Sequence, residues 1–133
     1  MKRTYSGGCH CGAVRYEVEA DLSQGTVRCN CSICSKGRAW LAAVSPADFR
    51  LAQGEENLSS YQFGAHQIRH LFCKICGVKS FARGGMPDGN QFIAIMVGCL
   101  DNVPDAELAQ LPIIYVDGRN DNFQSPPAET RHL

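Results

Sequence analysis

The stretch Ala13-Val14-Arg15-Tyr16-Glu17-Val18-Glu19 alternates strictly, with Val14, Tyr16 and Val18 on one face and Arg15, Glu17 and Glu19 on the other. A period of two is the signature of a strand with one buried face. Before it lies a glycine- and cysteine-rich run, Gly7-Gly8-Cys9-His10-Cys11-Gly12. After it, Thr26–Cys29 reads as a short strand that runs into a second cysteine run, Cys29-Asn30-Cys31-Ser32-Ile33-Cys34. Trp40–Val44 fits a buried strand, although its alanines leave a helix open. Ser45-Pro46-Ala47-Asp48 carries the cap, proline and acidic residue of a helical turn. Leu58–Phe63 and Gln67–Phe72 read as strands separated by Gly64-Ala65-His66, and Val78–Ala82 as another. Gly84-Gly85-Met86-Pro87-Asp88-Gly89-Asn90 signals a turn. Gln91–Leu100 and Ile113–Val116 complete the strands, with a helical turn at Asp105–Leu108 between them. No repeat or low-complexity block interrupts the pattern. The expected fold is mostly β with very little helix, in one domain spanning 1–133, with 118–133 as a C-terminal loop or tail.

The chain has 133 residues, 13 basic and 13 acidic side chains and 44% hydrophobic residues. That composition fits a globular domain and argues against extended disorder. Zero formal charge offers no electrostatic case for nucleic acid or an anionic membrane surface. The longest apolar runs, Ala39–Val44 and Phe92–Val97, span six residues each, against about 20 for a membrane-crossing helix. Met1–Gly8 lacks the apolar segment of a secretory signal. A cytoplasmic location is therefore expected, where persistent disulfides are uncommon.

Eight cysteines need another explanation there: Cys9, Cys11, Cys29, Cys31, Cys34, Cys73, Cys76 and Cys99. Seven of them fall into three tight clusters, the third being Cys73-Lys74-Ile75-Cys76 followed by Gly77. Close spacing aims several sulfurs at one point, and zinc is the natural occupant of such thiolate sites. Seven thiols divide as four plus three. Two remote pairs would make a closed structural site tying 9–11 to 73–76. Three thiolates within six residues would leave a fourth metal position open. Counting alone does not fix the partition, because Cys9 and Cys11 can also be grouped with the triplet. Cys99, in its apolar surroundings, is expected as a buried thiol; as a fourth ligand it would close the second site.

At this point the sequence resembles a known family. Gly7-Gly8-Cys9-His10-Cys11-Gly12-Ala13-Val14-Arg15-Tyr16, then Cys29-Asn30-Cys31-Ser32-Ile33-Cys34, then Phe72-Cys73-Lys74-Ile75-Cys76-Gly77 is similar to the glutathione-dependent formaldehyde-activating enzymes, a family that includes centromere protein V. The resemblance runs from about Tyr5 to Asp117. It implies a compact, mostly antiparallel β fold with two zinc ions per chain. Cys9, Cys11, Cys73 and Cys76 would hold a structural zinc, and Cys29, Cys31 and Cys34 a catalytic one. The implied activity is that of a carbon–sulfur lyase acting on S-hydroxymethylglutathione or a related thiol adduct. The implied partner is a small-molecule thiol, glutathione or an adduct of it, with no nucleic acid and no membrane. With seven thiolates and two zinc ions the loaded chain would carry a net charge of about −3.

Other residues carry less. Arg28, Lys36 and Arg38 flank the triplet, and Lys79 and Arg83 follow the last knuckle; such charges usually lie on a solvated face. His10 sits between converging cysteines and should point elsewhere. His70 shares a strand face with Ile68 and Phe72, which favours a core or cross-strand role. His66 and His132, like the other two, are possible zinc ligands in principle, but neither is expected to be one. Trp40 is expected in the core, and Asp117–Phe123 as a surface turn. Two other classes compete with the enzyme: a non-catalytic zinc module for folding or partner binding, and a thiol redox sensor built on the triplet. The sequence sets no oligomeric state.

Overall fold

The computed structural model describes residues 1–133. It is mostly β, with ten strands in two sheets and two short helices. The smaller sheet has the order β1-β2-β5, from Arg3–Gly8, Arg15–Ala20 and Phe49–Gln53. The larger has the order β10-β3-β4-β9-β8-β7-β6. Its strands are β3 (Thr26–Cys29), β4 (Leu41–Val44), β6 (Leu58–Tyr61), β7 (Ile68–Cys73), β8 (Phe81–Gly85), β9 (Gln91–Met96) and β10 (Ile113–Val116). Helix α1 covers Ser32–Gly37 and α2 covers Asp105–Leu108. Every pairing is antiparallel except β10 with β3, which is parallel. The chain returns to β3 through α2, and the amide and hydroxyl of Thr26 both donate to the Pro112 carbonyl, at 2.8 and 2.7 Å.

The alternation that announced a strand works as expected: Tyr16 and Val18 are 1% exposed, while Glu17 and Glu19 point outward. Tyr16 of the small sheet meets Phe81 of the large one with ring centroids 5.7 Å apart, and Phe49 completes the trio at 5.2 and 4.8 Å. Burying each such ring contributes on the order of 2–3 kcal/mol. The Tyr16 hydroxyl keeps its partner in the interior by donating to the Ser80 carbonyl at 3.1 Å. Ile93, Ile95, Val14, Val18 and Val97 fill the rest of the core.

Several elements differ from the expectation for local reasons. Trp40–Val44 resolves as a strand, beginning at Leu41. The Val78–Ala82 strand is displaced to Phe81–Gly85, so Gly84 and Gly85 pair with β9 rather than open the turn. Gly84 suits that place because a Cβ there would lie 2.4 Å from the Phe92 ring. The Gln91–Leu100 strand stops at Met96. There the Val97 amide turns to the Trp40 carbonyl, and Val97–Cys99 form a 3-10 turn. β1 and β5 carry too few large apolar residues to show a period of two, and α1 has no apolar period.

Candidate metal centres

The first sulfur group is assembled from both sheets. β1 ends in Gly8 and hands Cys9 to a turn closed by the Cys9 amide on the Val14 carbonyl at 3.1 Å, with the Val14 amide donating to Cys9 Sγ at 3.3 Å. β7 ends at Cys73, where the chain reverses over Lys74-Ile75-Cys76-Gly77. The Gly77 amide donates to the Cys73 carbonyl at 2.9 Å and the Ile75 amide to Cys73 Sγ at 3.4 Å. Gly77 has φ +78°, in the left-handed region where a side chain is unfavourable. The amides of Val78 and Cys11 hold the Cys76 thiol down at about 6. The sulfurs of Cys9, Cys11, Cys73 and Cys76 lie within 4.8 Å of one another. Cys9 to Cys11 and Cys11 to Cys73 are both 3.7 Å apart, and all four are free thiols.

The second group is built where β3 runs into α1. Cys29 is the last residue of β3, Cys31 precedes the helix and Cys34 lies in its first turn. These three sulfurs also lie within 4.8 Å of one another. The Cys31 amide donates to Cys29 Sγ at 3.4 Å. The side chains of Cys29 and Cys34, with the amides of Cys34 and Ile33, hold the Cys31 thiol well below the ordinary thiol range. The Cys29 and Cys31 side chains push Cys34 upward. Such a cluster favours one early thiolate stabilised by its neighbours' donors. Both groups could hold metal ions.

The turn after β10 closes this site, although its polar sequence reads as a surface turn. Asn30 is buried; its Nδ2 donates to Asp117 Oδ1 at 2.8 Å, and its Oδ1 accepts from the Arg119 amide at 3.0 Å. Between those partners, Gly118 presses its backbone on the triplet. The Ser35 hydroxyl donates to the Asn30 carbonyl at 2.9 Å and ties the turn to α1. None of this is visible in local sequence, because the partners lie 87 and 89 residues apart.

Cys99 stays outside both groups, half-buried in its 3-10 turn with Sγ 3.9 Å from the Lys79 carbonyl. Burial raises its thiol above the ordinary range. Lys79, expected on a solvated face, is half-buried and its Nζ lies 2.6 Å from Nδ1 of His70. His70 is 7% exposed in the middle of β7, paired across to Tyr61 and Ala82 and stacked at 5.5 Å on Phe63. Burial, then the Lys79 charge, lowers the His70 imidazole; burial lowers Lys79. Arg83 is half-buried over the Phe49 and Phe81 rings rather than solvated. Trp40 donates its indole N–H to Thr26 Oγ1 at 2.8 Å, with the Arg28 guanidinium 5.1 Å above its ring. His10, His66 and Lys36 are exposed and belong to neither sulfur group.

The family model for glutathione-dependent formaldehyde-activating enzymes matches residues 4–117, a span that holds both sulfur groups. The chain belongs to this family. A Halomonas elongata protein named "Putative glutathione-dependent formaldehyde-activating enzyme" is 42% identical over 79 residues, covering 53% of this chain and 50% of that protein. The match thus spans about half the length of that curated relative. A crystal structure of a Rhodobacter sphaeroides protein, solved as a structural genomics target, superposes with a TM-score of 0.70 at 34% identity, covering 82% of this chain and 99% of the other. The two chains thus share this fold. No helix is long and apolar enough to cross a membrane.

Proposed function

We propose that this family member is a zinc-dependent carbon–sulfur lyase that forms or cleaves S-hydroxymethylglutathione or the adduct of a related thiol. The observation that carries the reading is the unequal count of the two sulfur groups, four in one and three in the other. In a tetrahedral zinc–thiolate centre, bonds of about 2.3 Å give sulfur–sulfur edges of about 3.8 Å. The 3.7 Å separations within the first group fit that edge. Cys9, Cys11, Cys73 and Cys76 then make a closed structural site. Cys29, Cys31 and Cys34 would hold the second zinc with three protein ligands, fewer than a closed site needs, so a substrate sulfur could join them. When bound there, zinc supplies the positive charge that keeps a thiol ionised at neutral pH.

The chain's own groups do the positioning. α1 and the Asn30 hydrogen bonds hold the three cysteines to one point, and the Gly118 turn covers Cys29. No protein nucleophile is needed. In the forward direction the thiol sulfur bonds to the formaldehyde carbon, and the carbonyl π pair moves to oxygen. That oxygen takes up the proton the thiol lost, and the reverse reaction breaks the same C–S bond. The reading takes residues 1–133 as one domain working in the cytoplasm, where glutathione is held reduced.

The test is zinc analysis combined with exchange NMR on glutathione, formaldehyde and their adduct. Two zinc ions per chain and exchange above the spontaneous rate are expected. Cys31→Ala should keep one zinc and lose the acceleration. Full acceleration in Cys31→Ala overturns the scheme. A two-zinc protein with no acceleration overturns it in favour of a non-catalytic zinc module.

A further inference from the structure

Beside the second sulfur group, on the side of α1 where Arg38 ends the helix, lies a hollow of about 270 Å³. Arg28, Arg38 and Lys79 line it together with Trp40, Met96 and Cys99, and no acidic residue does. The ion pairs of the protein involve Met1, Lys2, Arg3, Arg15, Arg50 and Arg131, so these three cations have no carboxylate partner. Their hydrogen bonds run to neutral groups instead. Arg28 Nη1 donates to the Arg38 carbonyl at 3.3 Å, Arg38 Nη1 to the His132 carbonyl at 3.3 Å, and Lys79 Nζ bonds His70 Nδ1.

Two of the three are also held in place. The Arg28 guanidinium lies over the Trp40 ring, a contact that orients it without neutralising it. Lys79 is half-buried and anchored on a histidine that itself is buried, and one bond to His70 leaves two ammonium protons for a ligand. Cations without a carboxylate partner in one concavity favour a bound anion. The hollow is next to the sulfurs: Arg28, Arg38 and Ala39 also wall a narrow crevice with Cys29 and Cys34, which the C-terminal His132 and Leu133 line as well. An anion in the hollow and a sulfur at the triplet therefore fit one small molecule that carries both.

We propose that the hollow walled by Arg28, Arg38 and Lys79 is the carboxylate subsite for a thiol substrate whose sulfur goes to the Cys29-Cys31-Cys34 group. This rests on the lyase reading for the identity of the thiol. Guanidinium groups suit a planar carboxylate because they can donate two parallel hydrogen bonds. Glutathione, with two carboxylates and one thiol, has this chemistry, whereas a neutral thiol such as 2-mercaptoethanol lacks half of it.

The zinc-loaded full chain is titrated by NMR with S-methylglutathione, whose sulfur is blocked, and with its diethyl ester, whose carboxylates are masked. Wild type should bind the acid roughly tenfold more tightly than the ester, and Arg38→Gln should remove most of that difference. Arg38 is exposed, so this variant keeps its fold; Lys79→Gln is the second variant, with its fold checked by zinc content. Equal binding of acid and ester by wild type, or wild-type discrimination in Arg38→Gln, overturns the proposal. Carboxylate-dependent binding without turnover of S-hydroxymethylglutathione sustains the subsite and removes the lyase reading. Turnover with no preference for the acid sustains the lyase and removes the subsite.

Discussion

Gly118 lies so close to Cys29 that a Cβ on it would stand 2.4 Å from the Cys29 sulfur. The same atom would be 3.2 Å from Cys31 Cβ and 3.3 Å from the Phe123 ring, so it meets groups on three sides. The turn after β10 and the sulfur triplet are therefore one packed unit, although 89 residues separate Cys29 from Gly118 in the chain.

Gly118→Ala should push the turn off the triplet. Overpacking of this kind costs on the order of 1–3 kcal/mol. Here part of that strain falls on the Cys29 sulfur itself, so metal binding should suffer along with stability. The expected result is one zinc per chain instead of two, with a lowered melting temperature. Two tightly held zinc ions in Gly118→Ala would show that the turn yields freely.

Asn30 clamps that turn from the other side, and its loss should be felt without touching a sulfur. Asn30→Ala leaves Asp117 Oδ1 and the Arg119 amide without the partners they have at 2.8 and 3.0 Å. The loss of both long-range hydrogen bonds made by this buried side chain should lower stability. Asn30→Asp should be no better, because it keeps an acceptor for Arg119 but faces Asp117 with a second negative charge. Urea unfolding of both variants should show lower midpoints than wild type with similar slopes. An unchanged midpoint in Asn30→Ala would mean the turn is held by Gly118 packing alone.

How far the sequence reaches follows from which interactions are local. The strict alternation at Ala13–Glu19 is a local consequence of one buried face, and it marks β2 to within two residues. Thr26–Cys29 and Ile113–Val116 coincide with β3 and β10, yet nothing in either segment says that they pair in parallel. The cysteine runs announce converging sulfurs, but their partition depends on which strand ends meet. The meeting of 9–11 with 73–76 comes from the ends of β1 and β7, strands of different sheets. α1 escapes notice because six residues containing one cysteine, two serines and a glycine show no apolar stripe. The His70–Lys79 contact escapes for a different reason: His70 reads as one more residue of an alternating strand, and Lys79 as one more surface charge.

That contact gives the protein a pH signature. His70 is buried against Lys79 and packed on Phe63, so its imidazole binds a proton less readily in the folded chain than the usual value of about 6.5. Between the lowered folded value and about 6.5 the unfolded chain binds more protons, so stability rises with pH in that window. The His70 contribution is complete above about 6.5 and is lost as pH falls towards the folded value. Acid release of any metal held by the cysteines would add to such a loss, so the comparison is with His70→Gln, which has the same cysteines. The stability difference between wild type and His70→Gln should shrink or reverse as pH drops from about 8 to 5. A difference independent of pH would mean that His70 titrates normally in the fold.

The two sulfur groups should respond differently to metal removal. A metal on the first group would tie Cys9 and Cys11 to Cys73 and Cys76 across 62 residues, from Cys11 to Cys73, whereas one on the second would close only the short span from Cys29 at the end of β3 to Cys34 in α1. Cross-linking a long loop restricts the unfolded chain far more than cross-linking a short one, by the logarithm of loop length. Losing the first metal should therefore cost several times more stability than losing the second, provided both bind with similar affinity. Cys76→Ala is expected to lower the melting temperature sharply and to broaden the transition. Cys31→Ala should shift it by a few degrees while removing one zinc. A chelator titration of wild type should follow the same order, with the triplet emptied before the fold is lost. Equal destabilisation by Cys76→Ala and Cys31→Ala would show that the triplet also fastens distant parts of the chain, through the Gly118 turn that covers it.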